Sequence, residues 1–343
     1  MNEKVYLVVT SIAGPNDTLR RLAGGCREHG WKFLLIGDQA SPADFHLEGC
    51  DFYGLDRQSQ LNLEYAKKCP TRHYARKNIG YLMAIAGGAS VIVETDDDNI
   101  PLDDFWQKRR LEQEAAICDS AGWVNIYRYF SDRNIWPRGY PLDELARDAP
   151  AYELMETQKV DCPIQQNLAD DNPDVDAVYR LVMPHLGHLR LPIRFRADRQ
   201  IAIGRGSFCP FNSQNTTWWP QAYELMYLPA YCSFRMTDIW RSFVAQRIAQ
   251  ENGWPVLFAG PTMRQERNVH NLMRDFEDEV PGYLNNKKIV DELAGLNLAA
   301  GTVRVAENMR ICYERLVSLS LVDRDELSLL DVWLGDIQDC CGC

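Results

Sequence analysis

An α/β fold on a doubly wound, mostly parallel sheet flanked by helices is predicted from three observations. Short apolar strands alternate with helical segments over the first hundred residues. Glycine and proline punctuate the strand ends. The 343 residues suffice for one large α/β domain with an appendage, or for two domains.

In chain order, Val5–Thr10 is a continuous apolar strand followed by a turn at Gly14-Pro15. A helix over Asp17–His29 leads to a second strand, Lys32–Ile36, stopped by Gly37-Asp38. Residues 74–86 form a helix ending in Gly87-Gly88, and 90–94 is a short β-branched strand. In such sheets ligands bind at the carboxyl ends of strands where the order reverses. Thr10 and Asp38 stand at two of those ends and are candidate nucleotide contacts. From 102 to 199 the pattern is irregular and rich in Asp, Pro and aromatics, so long functional loops and insertions are expected. Regularity returns over 201–258 with a strand, a polar turn, a Trp/Tyr-rich helix and an amphipathic helix at 238–252. Beyond Glu279 three helices are expected, at 285–300, 302–318 and 323–338. They form a small C-terminal helical appendage over 285–343, a place for homo-oligomer contacts, behind a catalytic domain over 1–284.

Composition removes several function classes. The formal net charge is −11, with 48 acids against 37 bases, which repels a nucleic-acid backbone. No run reaches the roughly 20 apolar residues that cross a bilayer, and the N-terminus has no signal-peptide pattern. The eleven cysteines are mostly scattered singly among apolar residues, which suits reduced thiols and a cytoplasmic location.

The most informative stretch is Val91-Ile92-Val93-Glu94-Thr95-Asp96-Asp97-Asp98-Asn99. A short strand delivers three aspartates to its carboxyl end. Alternate side chains of an extended segment share a side, so Asp96 and Asp98 can face one site. Two convergent carboxylates suit Mn²⁺ or Mg²⁺, which keeps positions open for phosphate oxygens; a solvated acidic turn is the alternative. Upstream, Arg72 to Asn78 packs bases into an acidic protein, either as diphosphate contacts or as a solvated helix face. Asp38 is a possible acceptor for a uracil or ribose hydrogen bond, or a turn former. Asn212, Gln214 and Trp218 lie in a run of amides, hydroxyls and indoles suited to sugar recognition, or to a buried core. The acid cluster over 170–176 could hold Ca²⁺ or line an acceptor groove. Gly204-Arg205-Gly206-Ser207, the His185/His188 pair and the Cys340-Cys341-Gly342-Cys343 tail are each too sparse to define a site.

Four motifs together carry a resemblance: ARKNIGYLMAI…VIVETDDDNIP, PFNSQNTTWW, TDIWRSFVAQRI and QERNVHNLMRDFEDE. In this order, over about residues 1–285, they resemble the STELLO-like family of glycosyltransferases. That family is GT-A-like and distantly similar to the reversibly glycosylated polypeptides, which act as UDP-arabinopyranose mutases. Its plant members carry membrane anchors, so this chain is expected to be a soluble bacterial relative consisting of the catalytic domain. The resemblance implies that Asp96 and Asp98 bind the metal, with Asp97 near the donor ribose or sugar. It also implies that Arg76, Lys77 and Asn78 contact the nucleotide, that His270 completes the metal site, and that Asp238 at a helix start is the catalytic base. From the residues alone, Asp238 is equally a first-turn acid stabilised by the helix dipole. Arg241, further along that helix, is a substrate candidate or a structural salt bridge.

The expected function is therefore metal-dependent transfer from a UDP-sugar to an unknown carbohydrate or glycoconjugate acceptor, in bacterial glycan synthesis. A base at Asp238 predicts inversion. The alternatives are a UDP-sugar mutase and a non-catalytic nucleotide-sugar-binding scaffold.

Overall fold

The computed structural model describes residues 3–187, 192–267 and 271–341. The chain opens with strand β1 (Val5–Thr10). Helix α1 (Asp17–His29) is capped by Asn16, whose side chain accepts from the Leu19 N–H at 2.8 Å. Then come β2 (Lys32–Ile36), β3 (Asp51–Tyr53), α2 (Leu55–Ser59) and α3 (Glu64–Lys68). The helix expected at 74–86 starts as a 3₁₀ turn, Tyr74–Arg76, and continues as α4 (Lys77–Ala86) into β4 (Val91–Thr95). A Cβ at Gly80 would sit 2.5 Å from the Val8 side chain, so glycine lets α4 lie directly on β1.

The irregular middle is less loop-like than its sequence. It holds β5 (Asn99–Pro101), β6 (Glu112–Cys118), β7 (Gly122–Trp123), α5 (Tyr127–Phe130), β8 (Thr157–Asp161), β9 (Ile164–Asp170) and α6 (Ala177–Val182). After it come β10 (Gln200–Ile203), β11 (Ser207–Phe208), β12 (Asn215–Trp218), α7 (Thr237–Glu251) and β13 (Val256–Gln265).

The main sheet runs β3-β2-β1-β4-β12-β9-β13-β10-β6-β8, with β5 added on β13. It is parallel from β3 to β4 and mixed beyond, because β12 lies antiparallel between β4 and β9. Alternate residues of β1 feed two cores. Tyr6 and Val8 join the larger one, while Val5, Leu7 and Val9 join a smaller one under α1.

Helix α7 corrects its sequence reading. Every residue from 237 to 249 is buried, so the helix is not amphipathic but enclosed, and its polar side chains are matched inside the protein. The C-terminal helices are α8 (Leu272–Ala294), α9 (Val305–Ser318) and α10 (Asp325–Cys341). The boundary at 284/285 falls inside α8, which runs on through Pro281. Helix α10 is sewn to the N-terminal half. The Asp336 carboxylate accepts from the Glu64 and Tyr65 N–H groups at 3.1 and 2.8 Å, and Trp333 packs on Tyr65 and Tyr227. Among the described residues no helix is long and apolar enough to cross a membrane.

Candidate active site

A cleft of about 540 Å³ opens at the carboxyl ends of β1, β2 and β4. Thr10, Ser11, Asp38 and Asp96 to Asp98 line one part of it; Arg138, Asp174, Asn212, Arg235, Asp238, Gln265 and Arg267 line the other. The parallel βα units thus bring Thr10, Asp38 and the three aspartates together.

Each aspartate is held differently. One Asp96 oxygen accepts from the Tyr74 hydroxyl at 2.6 Å and from Lys77 Nζ at 3.0 Å. Lys77 is fully buried and also donates to the Thr95 and Ser213 carbonyls, so it fixes Asp96 from beneath. The Asp97 carboxylate accepts from the Ser11 hydroxyl, and its carbonyl accepts from Asn16 Nδ2 at 2.9 Å. Burial pushes the Asp97 pKa up. Asp98 has the weakest support: Oδ2 accepts from Gln265 Nε2 at 3.1 Å. Its Oδ1 and the Gln265 Oε1 are buried with no partner among the described residues. Burial, then the Asp96 and Asp97 charges, push the Asp98 pKa up to about 7.

These orphaned oxygens are hard donors beside further carboxylates, so the residues fit a small divalent cation. Among the described residues, no three His, Cys, Asp or Glu side chains close around a metal position by themselves. His270, expected as a ligand, lies outside the described residues, as does His188.

Asp38 is fixed at the edge of the cleft, accepting from the His73 N–H at 2.9 Å and the Gln39 N–H at 2.7 Å. Asn212 and Gln214 also line the cleft. The former donates to Asp174 at 2.8 Å and the latter to Asn99 at 3.0 Å. Arg76 reaches the lining, but its guanidinium donates to the Gln58 side chain and the Cys69 carbonyl.

Besides Lys77, which the cleft lining also lacks, three expected contacts require correction, because core hydrogen bonds consume them. Asn78 donates to the Tyr65 hydroxyl and the Leu228 carbonyl, tying α4 to the segment after β12. Trp218 is fully buried and donates to Glu94 at 2.8 Å. Arg241 forms a buried ion pair with the same Glu94 at 2.9 Å. None of the three lines the cleft.

Asp238 does line it, although in a setting the sequence did not disclose. Arg138 grips both oxygens, at 3.0 and 2.9 Å, and its Nε binds Asp174 at 2.9 Å. Burial alone would raise the Asp238 pKa; the Arg138 charge and hydrogen bonds outweigh it and hold the pKa below the usual carboxylate range. The same balance takes Asp174 down to about 2. A carboxylate clamped in this way is a poor proton acceptor, which counts against its expected role as base.

Sequence reasoning missed Ser11, Arg138 and Arg235, whereas Gln265 and Arg267 belong to the QERNVH run, whose side chains suit phosphate binding. Asp174 was within reach, since the acid cluster over 170–176 was a candidate acceptor groove. The glycine pair at 204–206 does not line the cleft.

The sequence profile of the STELLO glycosyltransferases matches residues 235–341. STELLO2 of Arabidopsis thaliana, described as a probable glycosyltransferase, is 28% identical over 355 positions, covering 97% of this chain and 44% of its own length. STELLO1 of the same plant, described likewise, is 30% identical over 272 positions, covering 75% of this chain and 35% of its own. The chain therefore spans less than half the length of these relatives. Among solved structures, the glucosyl-3-phosphoglycerate synthase of M. tuberculosis has a TM-score of 0.40 and 9% identity, covering 83% of this chain and 81% of its own. A likeness that slight bears on neither reaction nor substrate.

Proposed function

We propose that this STELLO-like chain is a glycosyltransferase domain. In this reading it binds a UDP-sugar at the acidic end of the cleft and transfers the sugar to a carbohydrate or glycoconjugate acceptor. Asp98 is the observation that carries the reading. A carboxylate raised to about 7, with an orphaned oxygen and two acidic neighbours, is an unfavourable arrangement until a cation neutralises it. Mn²⁺ or Mg²⁺ held by Asp98, beside Asp96 and Gln265, would supply charge neutralisation for the diphosphate and the departing UDP.

The chain's own groups do the rest. Lys77 and Tyr74 hold the Asp96 carboxylate in place, and Ser11 and Asn16 hold Asp97. Asp38, fixed by two backbone N–H groups, keeps lone pairs for ribose or base donors. We assign Asp238 to positioning Arg138. With no free base on that wall among the described residues, the acceptor proton passes to the departing diphosphate on the same face, and the sugar keeps its anomeric configuration.

A panel of UDP-sugars, with release of UDP as the readout, tests the proposal. Turnover is expected with Mn²⁺ and is lost with a chelator or in Asp98→Asn. Neither turnover nor binding of any UDP-sugar would overturn the reading. An inverted linkage by NMR would return the base to Asp238.

A further inference from the structure

The cleft is acidic at one end and mixed in charge at the other, where arginines and carboxylates line it together. Arg138, Arg235 and Arg267 line the other part. Arg138 is matched twice, by Asp174 and Asp238. Arg235 is matched once, by Glu279 at 2.8 Å. Arg267 binds Asp275 at 2.7 Å through Nη2, but its buried Nε has no acceptor among the described residues.

Next to them, in electrostatic contact with Arg267 and Arg235, lies Arg180 of α6, only 8% exposed. Its Nη2 donates to the Pro173 carbonyl at 2.8 Å, and its Nε is likewise unpartnered among the described residues. No carboxylate among those residues is ion-paired with it. Burial, then the Arg267 charge, bring the Arg180 pKa down to about 10, and the nearby Asp174 and Asp275 carboxylates offset this only in part. Arg267 is lowered too, by burial and then by Arg235. Buried cations that repel one another, with N–H groups left over, are costly unless an anion joins them.

The donor diphosphate has its counter-charge at the acidic end. We propose that Arg235 and Arg267, backed by Arg180, form an anion subsite for a phosphate group on the acceptor. Guanidinium forks match phosphate oxygens in pairs. The word acceptor rests on the glycosyltransferase reading; the anion subsite does not.

The test is calorimetric titration of inorganic phosphate into the protein, alone and saturated with UDP and Mg²⁺. Phosphate should bind in both states with affinities within about threefold, and Arg267→Gln should weaken it by about tenfold or more, with UDP affinity unchanged. Arg267→Gln removes a partner of Asp275, so Arg180→Gln is the second variant. It strips no ion pair seen among the described residues, should fold normally, and should weaken phosphate by about threefold. Phosphate displaced by UDP would assign the arginines to the donor and overturn the proposal. Phosphate binding absent, or unchanged in both variants, would also overturn it. Phosphate bound as expected while no UDP-sugar binds would leave the subsite standing and remove the glycosyltransferase reading instead.

Discussion

Glu94 on β4 and Asp98 in the turn after it sit four residues apart, one wholly buried and one half-buried at the cleft, and they live in opposite surroundings. Glu94 is wholly buried and fully matched: Arg241 pairs with it, and the Tyr81 hydroxyl and Trp218 indole donate to it. Asp98 meets one amide N–H and keeps an orphaned oxygen. A charge buried with its partner belongs to the architecture; a charge buried short of partners marks a place for a ligand. The arginines differ in place: Arg241 is paired with Glu94 below the cleft, its Nε unpartnered among the described residues, while Arg267 lines the cleft itself.

The largest effect should come from breaking the matched case. Arg241→Met leaves Glu94 buried and uncompensated, and should cost about 3–5 kcal/mol in denaturant unfolding. A loss below about 1 kcal/mol would mean that the pair is not structural.

Asp98 should behave in the opposite sense. Its folded pKa of about 7 lies above the ordinary carboxylate value, so the native state holds the proton more tightly than the unfolded chain. The resulting stabilisation is present at acid pH and is lost as pH rises through about 7. Metal-free protein should therefore lose melting temperature relative to Asp98→Asn between about pH 4 and 7 and level off above it, and Mn²⁺ should close the gap. Asp176 and Glu224, raised in the same sense, cancel in that difference.

Asp238→Asn tests a pairing of intermediate strictness. As a positioning residue it should lower turnover by about tenfold with an unchanged pH profile; a loss of about 10²–10⁴ would restore the base. The smallest effect belongs to Asn16, which caps α1 and tethers Asp97. Asn16→Ala should cost about 1 kcal/mol on melting, with little change in nucleotide affinity.

Local signals made the parallel half and its acidic strand end legible in sequence, because strand, helix and turn each announce themselves within a few residues. Partner identity was not local. Arg241 meets Glu94 147 positions away, and Arg138 meets Asp238 100 positions away, so both roles were invisible to spacing. Trp218 and Asn78 show the same limit from the other side: indoles and amides suit sugar recognition and core hydrogen bonding equally well. Strand β8 hid because it is an edge strand, mostly exposed, without the apolar alternation that betrays a half-buried one. Helix α8 begins earlier than the expected 285 because the composition shift after Glu279 is no structural break: the helix starts at Leu272 and continues through Pro281.

The most direct test of the under-compensated acidic end is calorimetric titration of UDP at pH 8 into the wild type and Asp98→Asn, each with Mn²⁺ and with chelator. The account predicts that Mn²⁺ strengthens UDP binding to the wild type by about tenfold or more and does nothing for Asp98→Asn, with both proteins equally folded. Equal UDP affinity in all four titrations would contradict it.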